Sequence, residues 1–422
     1  MRRLLALLLG LAAIGLAVLQ ATPDPVPPTD LLPAERPDGL TGWSFCPQWR
    51  GDGAIESDLR AQPEEDVVMA TRWWNGDGGS LDLPGGRVSD IVSSLRQGIV
   101  PVQLESGVPV PVGIRSAGEL GRSASGCADW PSTSWIVGVG GSTEGLFTTL
   151  VFMNPFPQTA TFDVAIYSEQ GLEVVESLEG FSVPAGESRE VDLTNALRLR
   201  THLVAVVTDP EGLIFPAMVT TEPGAYGTAI GRPLAEQWYF PTQPEGAEAE
   251  VVVVNPSAVD VTVDVDHFGA DGSNLSAEQF TLARRSSAIV AVPEATAVQV
   301  RADGIIGAAL RTRVEGELGI LTGTVSASRS WSLPGASIDG EDVTVSITNP
   351  GPTEASGTYR FVGPGGVSES TEFTVGAGSA ITVEVRALRS ESILVDADEP
   401  VVVGWWSRGL GVDLVIDAGV AR

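Results

Sequence analysis

Hydrophobic and polar residues alternate along most of this chain with a period of two, in short runs broken by Gly, Pro, Asn and Asp. A period of two puts successive side chains on opposite faces of a strand, so the pattern predicts β-structure almost throughout. The stretch VVVVNPSAVDVTVDVDHFGADG, residues 251–272, shows the rule. Four valines run into Asn255-Pro256, and Pro has no N–H with which to continue a ladder. Val261, Val263 and Val265 then face a core, while Asp260, Thr262, Asp264 and Asp266 face water. Gly272 supplies the positive φ of a hairpin turn.

The same order of features recurs. Trp, a glycine-rich stretch, a strand and Asn-Pro occur in 134–155, 237–256 and 330–350. The spacings are 19 residues from Trp135 to Asn154, 17 from Trp238 to Asn255 and 18 from Trp331 to Asn349. Each copy continues with a strand to a glycine turn, a hairpin turning at small residues, and a closing hairpin. A degenerate copy precedes these: GWSFCP (42–47) supplies Trp43, EDVVMA (65–70) the first strand, and IVPVQLESGVPVPVGIRS (99–116) the closing hairpin. The stretch between Trp73 and Gly86 predicts that this copy lacks a strand pair. Trp43, Trp135, Trp238 and Trp331 stand 92, 103 and 93 residues apart. That period predicts an all-β chain of about four tandem immunoglobulin-like β-sandwiches, the first degenerate. The expected boundaries are 41–132, 133–235, 236–329 and 330–422. Each repeated Trp predicts a core plug or a wedge between neighbours, its burial contributing roughly 2–3 kcal/mol. Asn154, Asn255 and Asn349 each predict a side chain that hydrogen-bonds the backbone of its turn.

The beginning of the chain departs from this pattern. Arg2 and Arg3 precede an unbroken apolar run from Leu4 to Leu19. Residues 1–21 therefore predict a helical secretory signal or a membrane anchor, and both place the remainder outside the cytoplasm. Residues 22–40 are Pro-rich and predict a stiff linker. The membrane is expected to be met only through this N-terminal segment. The two cysteines, Cys46 and Cys127, predict one disulfide in an oxidising compartment, closing a loop around the first copy.

Composition narrows the function classes. The net charge of −29 argues against nucleic-acid partners and against anionic membrane surfaces. All 25 basic residues are Arg, which excludes P-loop, Schiff-base and pyridoxal chemistry that needs Lys. His202 and His267 are too far apart for a zinc helix, and both predict partly exposed polar residues at strand ends. Asn75, Asp77, Ser80 and Asp82 in NGDGGSLDLPGG (75–86) are oxygen ligands of a kind Ca²⁺ takes, but their spacing matches no EF-hand, and a hairpin loop is the expectation. No cofactor is expected. In the doublets Trp73-Trp74 and Trp405-Trp406 one ring should face outward, either to stack on a sugar or protein partner or to pack against a neighbouring unit.

The repeated Trp, strand and Asn-Pro unit, the Cys46-Pro47 after the first Trp and the N-terminal apolar segment resemble a family of actinobacterial exported proteins of unknown function. The resemblance implies a cell-envelope location and brings no catalytic residues. The expected role is a non-catalytic extracytoplasmic scaffold, membrane-anchored or secreted, that binds an envelope protein or glycan. A carbohydrate-binding accessory module is the alternative, and a hydrolase with paired carboxylates ranks below both.

Overall fold

The computed structural model describes residues 42–46, 55–73, 78–92, 102–118, 121–129, 132–269, 274–337, 342–363, 365–386, 391–408 and 414–422. All of them fall within one compact unit, Pro33–Arg422. The signal or anchor segment and the Pro-rich linker lie outside the described residues. Among the described residues no helix is long and apolar enough to cross a membrane.

The first copy consists of β1 (Trp43–Cys46), β2 (Ile55–Ala61), β3 (Val67–Trp73), β4 (Gly78–Leu83), β5 (Ser89–Val92), β6 (Val102–Glu105), β7 (Val112–Gly118) and β8 (Gly121–Gly126). They form two antiparallel sheets, ordered β1-β6-β3-β4 and β5-β2-β7-β8. The same two orders recur three times. In the second copy, for example, 147–153 pairs with both 188–192 and 215–222, as β2 pairs with β5 and β7. In the third and fourth copies the equivalents of β6 and β7 fuse into single bent strands, Thr296–Val314 and Glu391–Arg408, each running from one sheet into the other.

The first copy is therefore not short of strands, contrary to the sequence expectation. EDVVMA lies in the third strand rather than the first. The overlooked one is β2, IESDLRA, whose four polar or charged residues hide the alternation of Ile55, Ser57, Leu59 and Ala61. Arg60 is buried there as well.

Between the paired sheets lie apolar cores. In the second copy Val137, Val164 and Val207 of one sheet meet Leu150, Phe152 and Met218 of the other. In the fourth, Leu333 and Val395 meet Val345 and Val403. The alternation of 261–266 is as expected on its apolar side, with Val261, Val263 and Val265 buried. Its acidic side is half-covered by partners: Gln279 donates to Asp264, and Arg301 pairs with Asp266 at 2.6 Å. Trp135, Trp238 and Trp331 are fully buried, and each indole N–H reaches a backbone carbonyl: Ser132, Ile306 and Val401 respectively. Trp43 is the wedge rather than the plug: half-buried, it stacks on Phe45 and packs with it against the second copy's core.

The copies join head to tail through one recurring contact. The first strand of each copy packs on the β7-equivalent of the next. Phe45 stacks on Phe215 with ring centroids 4.0 Å apart. Ile136 covers Gly307, and Pro241 covers Gly404. Pro334 of the fourth copy covers Gly113 of the first, so the series returns to its start. At the last three positions a Cβ would come within 2.5–2.6 Å of the covering residue, which leaves room only for glycine. The eighth strands add to the ring: Ser123 bonds Thr228 at 2.6 Å, and Gly227 lies against Ile320. A heterologous contact repeated in this way makes an open string unless its rotation closes. Here it closes at four.

Candidate functional site

The repeated asparagines form the most sharply defined polar sites. Asn154, Asn255 and Asn349 are each fully buried at the end of a β2-equivalent strand. The Asn154 carboxamide donates to the carbonyls of Gln158, Val183 and Pro184 and accepts from the Phe156 N–H. Asn255 donates to Val259, Leu282 and Ala283 and accepts from the Ser257 N–H. Asn349 donates to Thr353, Val375 and Gly376 and accepts from the Gly351 N–H. The geometry is the same three times over. Each Asn ties the turn after its own strand to the end of the β4-equivalent, and the Pro that follows withholds the N–H that would compete. The amide hydrogens of these side chains are spent on backbone carbonyls, and full burial keeps them from any ligand.

In the first copy the matching position is Gln62-Pro63, 19 residues after Trp43 (62 − 43), the same interval as Trp135 to Asn154. That spacing was the signal by which the position could have been found. The longer side chain turns away from its own copy. Its Oε1 accepts from Ser332 Oγ at 2.6 Å and from Ser392 Oγ, both in the fourth copy.

Cys46 and Cys127 are joined by a disulfide that closes an 81-residue loop. Next to it, Phe45 and Ala128 exchange two backbone hydrogen bonds, and both side chains belong to the second copy's core cluster. The staple thus anchors the first junction as well as the first copy.

Both histidines differ from the expectation of partial exposure. His202 is 1% exposed and His267 2%. His202 sits at the junction of the second and third copies, where its Nε2 lies 3.0 Å from Ser287 Oγ. Ser287 donates its own proton to the Ser168 carbonyl, so His202 donates from Nε2 and is the Nε2–H tautomer. Burial pushes both imidazoles below their ordinary pKa, which favours the neutral form. The two rings lie in different copies and face no common space.

Arg311 is the principal buried charge of the same junction. It donates to the carbonyls of Gly140 and Thr201 in the second copy and pairs with Glu250 in its own. Arg313 pairs with Glu222 across the junction at 3.2 Å. Both line an open groove of about 480 Å³ with Glu248, Glu250, Glu294 and Ile289. Its arginines are occupied by carboxylates, so it offers no unpaired cation to an anionic ligand.

Of the tryptophan doublets, Trp405 is buried in the fourth core and Trp406 is half-buried on the opposite face. Trp73 closes β3, its side chain is outside the described residues, and so is Trp74. Asn75 and Asp77 are outside them too. Ser80 and Asp82 lie exposed on β4, in the hairpin with β3. Among the described residues no three His, Cys, Asp or Glu side chains are grouped to hold a metal ion.

A family model described as a family of unknown function (DUF5719) matches residues 106–223 and 220–412. Together these spans take in well over half of the chain. The chain belongs to this family. The DUF5719 matches run from the end of the first copy through most of the fourth, and they assign no activity. No curated protein matches the chain. Among solved structures it is similar to one titled "Crystal structure of tetra-tandem repeat in extending region of large adhesion protein". The identity is 11%, over 84% of this chain and 91% of that one, with a TM-score of 0.12. So low a TM-score supports no argument about shared arrangement.

Proposed function

We propose that this DUF5719 protein is a non-catalytic extracytoplasmic scaffold of the cell envelope that binds a protein or glycan partner. In this reading the four copies are immunoglobulin-like β-sandwiches behind an N-terminal signal or anchor, and the first copy runs close to residues 41–132. The observation that carries the reading is the employment of the recurrent residues. The three later tryptophans plug cores, the asparagines clamp turns, and the buried arginine and His202 hold a junction. The repeat conserves a body, and a binding role leaves that body intact while using its outer surface. The disulfide supports an oxidising location.

One observation favours the glycan-binding alternative. Trp406 is a half-buried indole on the sheet face opposite the fourth core, behind a fully buried Trp405 and beside the strip where Gly404 and Ser346 meet the third copy. The test is retention of the purified chain on envelope fragments, with and without prior glycan digestion. Trp406→Ala is expected to melt within a few degrees of the parent and to lose retention severalfold. If binding vanishes only after digestion, the ligand is glycan. If the parent chain is not retained on either preparation, the scaffold reading fails.

A further inference from the structure

We infer that the contact between the fourth and first copies is a latch, the single junction at which the ring opens, and that Gln62 is its holding residue. The other three junctions join copies that follow one another in the chain, so short connections keep their faces at high effective concentration. The hydrogen bonds of the fourth span 270 and 330 residues. No short tether spans it.

The seam differs in chemistry from the first two junctions and resembles the third, where Ser346 bonds Thr242 beside a small cluster of Phe268, Ala297 and Ala380, but the third is held by a short connection. At the second junction a buried arginine reaches two backbone carbonyls of its neighbour. At the first, an aromatic ring inserts into the neighbour's core. The seam instead rests on one buried carboxamide oxygen receiving two serine hydroxyls, the single methyl of Ala124 set against the fourth copy's core, a small apolar cluster of Val88, Val362 and Leu394, and Arg422 bridging Glu64 and Asp396. Polar contacts of this kind exchange readily for water once the faces part. Gln62 also occupies the position where the other copies place an inward-turned asparagine. The seam thus takes the residue that would otherwise clamp a turn.

Gly113→Ala gives a selective way to pry the seam. The three atoms nearest a Cβ at that position all belong to Pro334 of the fourth copy, the closest at 2.5 Å. Gly79→Ala, whose nearest neighbour would be Thr71 Oγ1 at 3.7 Å, is the control. Hydrogen exchange of the full chain is the readout. In Gly113→Ala, amides at 112–116, 331–333 and 392–394 should exchange about tenfold faster or more, while those at Gly138, Thr228 and Thr242 stay as in the control. Since Gly113→Ala could disturb the first copy itself, the same measurement is made on Ser332→Ala with Ser392→Ala, altered only on the opposite side. The same local pattern is expected there. Unchanged exchange in both variants, or an equal rise at all four junctions in either, would overturn the latch.

Discussion

Asn255→Ala is expected to destabilise the third copy by about 3 kcal/mol, a large effect for one polar side chain. Its carboxamide serves three carbonyls and two donors in a fully buried place. Each net hydrogen bond contributes about 1 kcal/mol, and buried carbonyls left without partners add a desolvation cost. Asn255→Asp should be worse, because a carboxylate would face the carbonyls of Val259, Leu282 and Ala283 with no proton to give. Asn154 and Asn349 should behave alike in their own copies. Denaturant unfolding combined with copy-resolved hydrogen exchange measures this. An Asn255→Asp chain as stable as the parent would show that the clamp contributes nothing.

Removing the disulfide should have the largest effect of any two-residue change. Closing an 81-residue loop restricts the unfolded chain by about 4 kcal/mol in the chain-entropy account. The consequence is directional. Cys46 lies beside Phe45 and Cys127 beside Ala128, the pair carried into the second copy's core. With both cysteines changed to Ala, the first copy should unfold first and release its junction with the second. The third copy, and the fourth away from its seam with the first, should keep their protection. Denaturant midpoints taken with and without reductant give the size of the effect, and exchange gives its place. Equal loss of protection in all four copies would contradict the assignment of the staple to the first.

The β character, the period and the three Trp-to-Asn intervals were legible because each has a local cause: alternation for strands, Pro for strand ends, a large apolar ring for a core. The cysteine pair was legible because only two thiols exist. β2 was not, because a strand carrying Glu56, Asp58 and Arg60 gives a weak apolar signal, and its end is marked by Gln rather than Asn. The histidines were misjudged for a related reason. A neutral imidazole is tolerated in an interior that rejects a charge, and His202 is covered by a copy that follows it in the chain rather than by its own. Closure had no local signal at all. The positions that meet at successive junctions carry different chemistries: Ser168 with Ser287, then Phe268 with Ala380, then Val362 with Val88. Such differences help each face fit only its own neighbour, and they also hide the equivalence from any search for repeated residues.

Closure of the four copies into a ring is the claim on which the account rests, and one distance within a single molecule tests it. Spin labels placed at Glu65 in the first copy and Glu399 in the fourth flank the contact of Glu64, Arg422 and Asp396. For the full-length chain the ring predicts one population of distances shorter than the width of a single copy, roughly 35 Å for about one hundred residues. Distances of two or more such widths would mean an open string of copies and would contradict the ring.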